Sequence, residues 1–109
     1  MGVMTRTYHH IGIPTAAKHE NEIYLQSMKI WITDASKQEH GIEWLRFEPG
    51  SPMHPLVKTV PHVGFKVDDL KAAIRGRKVI VEPFEPLPGV WVAFIDDGGA
   101  PVEFLEFRA

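Results

Sequence analysis

Apolar and polar positions alternate in short runs along most of the chain, the period-2 signature of strands with one buried face. Eight such runs are read: Tyr8–Ile13, Glu22–Leu25, Met28–Thr33 and Ile42–Glu48 in the first half, and Pro61–Val67, Lys78–Pro83, Val90–Ile95 and Val102–Phe107 in the second. They are rich in Val, Ile, Phe, Tyr and Trp, which suit a pleated surface. Pro49-Gly50, Pro88-Gly89 and Asp97-Gly98-Gly99 separate them as turns. One stretch has helical period instead: Leu70, Ala73 and Ile74 form an apolar stripe, with Asp68 as the N-cap and Gly76 just past the end. Thr15 to Asn21, at the matching place in the first half, is polar and weakly patterned, so a turn or a single helical turn is expected there.

These runs hide a duplication. His10-Ile11-Gly12-Ile13 recurs as His62-Val63-Gly64-Phe65, and Ile42-Glu43-Trp44-Leu45-Arg46-Phe47 recurs as Val102-Glu103-Phe104-Leu105-Glu106-Phe107. From His10 to Glu43 is 33 positions (43 − 10), and from His62 to Glu103 is 41 (103 − 62). The difference is about two helical turns and matches the helix present only in the second half. The expected architecture is α+β. Two β-(α)-β-β-β modules, about 7–49 and 60–108, form one open curved mixed sheet, with the first helix reduced or missing. Residues 1–109 are read as one domain, with Gly50 to Val60, which holds Pro52 and Pro55, as the linker.

Strand parity gives the repeats a chemical meaning. His10 and Gly12 share one face, as do His62 and Gly64, while Glu43, Leu45 and Phe47 lie together, as do Glu103, Leu105 and Phe107. Each half thus offers a His near the start of its first strand and a Glu near the start of its last. Related by a pseudo-two-fold axis, the four could converge at the seam. Two imidazoles and two carboxylates form a sensible site for Zn, Ni, Co, Mn or Fe(II). Four ligands on a six-coordinate ion would leave two positions for a bidentate substrate. Against this stands the plain reading of each His or Glu as a hydrogen-bonded or surface residue; both Glu residues, however, sit among apolar neighbours, where an unpartnered carboxylate is costly.

Composition narrows the function classes. Charged residues make up 24% and the net charge is −2, so no basic surplus exists to hold a nucleic-acid backbone. Cysteine is absent, which excludes thiolate metal sites and fits a cytoplasmic location. No apolar run approaches a membrane span, and no export signal is read at the N-terminus. By parity His9 faces away from His10. His19, His40 and His54 lie in turn or linker contexts, expected in solvent. Trp31, Trp44 and Trp91 either stack a ligand or pack in the core or a dimer contact, and Trp44 points away from the Glu43 face. Lys66 shares the parity of His62 and either meets an anionic group or is simply solvated. An open sheet with exposed edges predicts a homodimer.

The segments Pro61-His62-Val63-Gly64-Phe65-Lys66-Val67-Asp68-Asp69-Leu70 and Val92-Ala93-Phe94-Ile95-Asp96-Asp97-Gly98-Gly99-Ala100-Pro101-Val102-Glu103-Phe104-Leu105-Glu106-Phe107 resemble the second module of the glyoxalase/bleomycin-resistance/dioxygenase, or vicinal-oxygen-chelate, superfamily. The first half resembles it more loosely. The order His, Glu, His, Glu is similar to glyoxalase I, and by motif match His10, Glu43, His62 and Glu103 take the metal places, with Zn or Ni as the implied ion and Co, Mn or Fe as others. The resemblance implies a metal-dependent isomerase or lyase acting on a small oxygen-chelating substrate through an enediolate, with Glu103 or Glu43 moving the proton and Glu103 the favoured one. No segment matches glutathione-binding residues. Two other readings are a non-catalytic small-molecule-binding module of the same fold and an Fe(II) dioxygenase. The fourth ligand counts against the dioxygenase, since the facial triad uses three.

Overall fold

The computed structural model describes residues 5–109, so the first four residues of the N-terminal stretch searched for an export signal lie outside it. Strands β1 (Arg6–Pro14), β2 (Ile23–Leu25), β3 (Ile30–Ile32) and β4 (Ile42–Phe47) form the first half. Helix α1 (Pro55–Thr59) follows. The second half comprises β5 (His62–Val67), α2 (Leu70–Ile74), β6 (Val79–Leu87), β7 (Val90–Asp97) and β8 (Ala100–Phe107). All eight strands join one mixed, curved sheet in the order β2-β3-β4-β1-β5-β8-β7-β6. This is the expected α+β fold with a curved sheet.

The order is two copies of one pattern meeting at the centre. β1 runs parallel to β4 with Gly12 opposite Glu43, and β5 runs parallel to β8 with Gly64 opposite Glu103. At the seam β1 and β5 are antiparallel, with His10 opposite Gly64 and Gly12 opposite His62. The duplicated residues therefore fall at equivalent register positions, although the connection in the second half is longer.

Side chains divide between the faces as parity requires. On the convex face Leu70 and Ala73 of α2 pack against Val67, Ala93, Ile95, Val102 and Phe104. On the concave face Val92, Phe94 and Leu105 meet Met53 and Val57. The first half has no helix at the place of α2: Thr15 to Asn21 forms bends and a turn, and His19 stacks on Trp44 instead, with ring centroids 4.5 Å apart.

Several boundaries differ from the expectations. The N-cap of α2 is Asp69, not Asp68, because the Asp69 carboxylate accepts the Ala72 N–H at 3.2 Å. The expected strand from Met28 begins only at Ile30, because Gln26–Met28 forms a 3-10 turn that ends on Lys29 in a left-handed conformation (φ 47). Glu22 stands outside β2 and pairs with Arg46 across 2.7 Å. β6 runs on to Leu87 through register shifts. The linker carries α1, whose start has its own local signals: His54 accepts the Leu56 N–H at 3.0 Å, and Pro55 supplies the first helical residue. No helix among the described residues is long and apolar enough to cross a membrane.

Candidate metal centre

The central strands bring His10, Glu43, His62 and Glu103 together in a single chain, with one ligand atom from each within 4.8 Å of the others. The sheet register shows how. Glu43, Gly12 and His62 form one row across β4, β1 and β5; His10, Gly64 and Glu103 form a second row across β1, β5 and β8. Each glycine makes room for the histidine of the other half. A Cβ on Gly12 would fall 2.6 Å from His62 Nε2, and one on Gly64 would fall 2.8 Å from His10 Nδ1. No side chain larger than hydrogen leaves space for the ring.

The ligand atoms face one another closely. His10 Nε2 lies 3.2 Å from His62 Nε2, 3.0 Å from Glu103 Oε1 and 3.5 Å from Glu43 Oε1. His62 Nε2 is 3.0 Å from the same Glu103 oxygen. Metal–nitrogen and metal–oxygen bonds of about 2.0–2.1 Å separate neighbouring ligand atoms by roughly 3 Å at right angles and somewhat more in a tetrahedron. These four separations, 3.0 to 3.5 Å, match that range. Both histidines and Glu103 are buried, and the donor set is the mixed nitrogen and oxygen type that suits borderline divalent ions. The cluster could hold such an ion.

Electrostatics distinguishes the two carboxylates. Burial pushes the Glu43 carboxyl up to about 8, with the Glu103 charge adding to the effect. Burial also acts to raise Glu103, but hydrogen bonds from His10 and His62 outweigh it and hold Glu103 down at about 2. His10 is raised overall: its burial favours the neutral ring, and its bond to Glu103 overcomes that. Glu103 is thus the fixed anion between two imidazoles. Glu43 is the looser group, with its side chain 21% exposed against 9% for Glu103.

His9 departs from its expected place. A bulge between Tyr8 and His10 puts two residues of β1 against one of β5, which resets the parity at His9. Its Nδ1 lies 2.8 Å from His10 Nδ1, and the ring reaches the cavity beside the cluster. A bulge leaves no mark in a hydrophobic pattern, so parity alone misplaced this residue. The corresponding nitrogen on the other side, His62 Nδ1, is buried with no hydrogen-bond partner among the described residues. Where His9 precedes His10, Pro61 precedes His62 and has no side-chain donor or acceptor to offer.

The remaining candidates lie elsewhere. His54 caps α1, against the expectation of a solvated linker residue, while His40 is exposed beside Glu39. Lys66 is exposed, with its ammonium 5.4 Å from the Phe107 ring centre. Trp44 faces away from the cluster as parity required, Trp31 packs on Tyr24 and Arg46, and Trp91 lies under Arg108. None of the three tryptophans lines the cavity at the cluster. That cavity, of about 360 Å³, opens on the concave face between the two halves, with Glu43, His62 and Glu103 in its wall.

No family model matches the sequence, and no curated protein matches it. Among solved structures the chain is similar to a hypothetical protein from Bacillus halodurans C-125, with a TM-score of 0.74, 22% identity, and 96% of each chain covered. That likeness is one of fold, over nearly the whole of each chain.

Proposed function

We propose that this protein is a divalent-metal-dependent enzyme of the glyoxalase-like, vicinal-oxygen-chelate kind, acting on a small substrate with oxygens on neighbouring carbons. The observation that carries the proposal is the convergence of four buried or half-buried ligand atoms, two from each half, at the wall of a cavity. His10, Glu43, His62 and Glu103 would hold the ion, with Zn or Ni as the first choice and Co, Mn or Fe also suited to the donors. When bound, the ion would supply Lewis-acid stabilisation of negative charge developing on substrate oxygen.

The chain's own residues would divide the remaining work. Glu103 stays an anion between two imidazoles and anchors them. Glu43, more exposed and less tightly held, is better suited to take a proton from the carbon beside a carbonyl and return it to the neighbouring carbon. The sequence resemblance leaned towards Glu103 for this role; its two short contacts to the histidines favour Glu43 instead. A homodimer, and action in the cytoplasm, belong to the same proposal.

The first test is elemental analysis of untagged protein beside His10→Ala. About one divalent ion per chain, lost in the variant, is expected. Loaded protein should then exchange substrate hydrogen with deuterated solvent on an α-hydroxy carbonyl or dicarbonyl compound, and Glu43→Gln should stop the exchange. Full exchange activity in Glu43→Gln would remove Glu43 from the mechanism. No metal uptake after reconstitution would leave the alternative reading, a binding module that holds a small molecule without turnover.

A further inference from the structure

We infer that the molecule held beside the four-residue cluster has a neutral, apolar body attached to its oxygen-bearing head, and is not an anionic conjugate. The inference rests on the proposed metal-dependent function for the head and on the cavity itself for the body. The deep wall is hydrocarbon from both halves and from the linker helix: Ile32 and Leu45 on one side, Val92 and Leu105 on the other, and Val57 of α1, which is 1% exposed. The apolar character continues to the rim, where Ile23, Leu87 and Phe107 are 42%, 36% and 46% exposed. Exposed large apolar side chains gathered around one opening are the surface expected for contact with an apolar ligand.

Charge points the same way. Among the described residues no lysine or arginine lines the cavity, and the charged groups that do are acidic: Asp34, Glu43 and Glu103. A ligand body bearing carboxylates or phosphates would meet no cation in the cavity wall, and would lose its hydration against hydrocarbon; Lys66, whose ammonium lies over the Phe107 ring, is exposed and outside that wall. A volume of about 360 Å³ gives room for roughly a dozen water-sized groups at about 30 Å³ each. The fitting class is therefore a compact aliphatic or aromatic compound with two neighbouring oxygens at one end.

Zinc-loaded protein titrated calorimetrically with straight-chain alkyl hydroxamates tests this, because the head is constant and only the tail varies. Affinity is expected to rise about fourfold for each added methylene until the cavity is full. A tail of equal length ending in carboxylate should bind at least tenfold more weakly, and the rim variant Leu87→Lys should restore it. Affinity independent of tail length, or equal affinity for the carboxylate tail, would overturn the inference. So would a dimer in light scattering that buries the rim and removes the tail dependence, since a second copy would then be the occupant. Matched alkyl alcohols, which have no chelating head, separate the two claims. A tail dependence shared by alcohols and hydroxamates, with no effect of zinc, would keep the apolar cavity and reject the metal reading. Zinc-dependent hydroxamate binding with no tail dependence would do the reverse.

Discussion

The imidazole of His62 occupies the space over Gly12 that a side chain would fill, and His10 lies over Gly64 in the mirrored arrangement. The four candidate ligands can therefore meet across the β1–β5 seam only because each His-x-Gly repeat supplies both a ring and a gap for the other ring. Substitution of either glycine by alanine should displace one histidine. Gly64→Ala is expected to lose stoichiometric metal and to destabilise the fold by about 1–3 kcal/mol, the usual range for overpacking. Metal analysis and thermal melting of Gly12→Ala and Gly64→Ala check this; normal metal content in both would show that the rings have other places to go.

The metal-free protein should lose stability as pH rises. Glu43 has a folded pKa of about 8, above the unfolded value of 4.5, so the folded state binds the extra proton between those limits. Stability contributed by that proton is present below pH 4.5 and is lost as pH rises through 8, at no more than about 1.4 kcal/mol per pH unit. Glu103 acts oppositely. Its folded pKa of about 2 contributes stability above pH 4.5 that disappears as pH falls towards 2. Denaturant titrations of metal-free protein from pH 5 to 8 should show the decline, and Glu43→Gln should reduce it, leaving the smaller loss above pH 6.5 that the raised His10 contributes. Chelation of the metal should therefore cost more stability at pH 8 than at pH 6.

His9 should matter to metal affinity without being a ligand. One ring nitrogen of the His9–His10 pair donates to the other across 2.8 Å. With the hydrogen on His10 Nδ1, the His10 Nε2 lone pair is free to face the cluster. His9→Ala is expected to weaken metal binding 10- to 100-fold with little change in melting temperature, and His9→Asn to recover part of the loss. Competition titration with a chelating dye measures both.

Phe104 anchors the convex core at 1% exposure, between α2 and the sheet. Phe104→Ala should cost about 3–5 kcal/mol. By contrast Lys78→Ala, which breaks the surface pair with Asp96 at 3.2 Å, should change stability by less than about 1 kcal/mol. Chemical denaturation of the two variants checks the contrast.

Much of the site was legible in the sequence because a duplicated pattern places the same residue types at the same parity twice. His10 with Gly12 and His62 with Gly64 could be read as pairs, and so could Glu43 and Glu103. The helix at Pro55 was legible in principle, from His54-Pro55 before Leu56 and Val57, but five residues are too few to show a helical period. His9 was misplaced because a bulge shifts parity without altering composition.

The sequence by itself determined the four candidate ligand side chains, the strand faces away from the β1 bulge and the likeness of the two halves, since these depend on side-chain chemistry and on the period of two along a strand. Only the tertiary structure decided that β1 pairs with β5 within one chain, which assembles the cluster without a second copy. It also decided that two chemically identical glutamates differ. Glu103 meets both histidines, whereas Glu43 contacts one of them at 3.5 Å and is half-buried beside another carboxylate. Proton affinity depends on neighbours and on access to water, and those neighbours come together only when strands distant in sequence share one sheet.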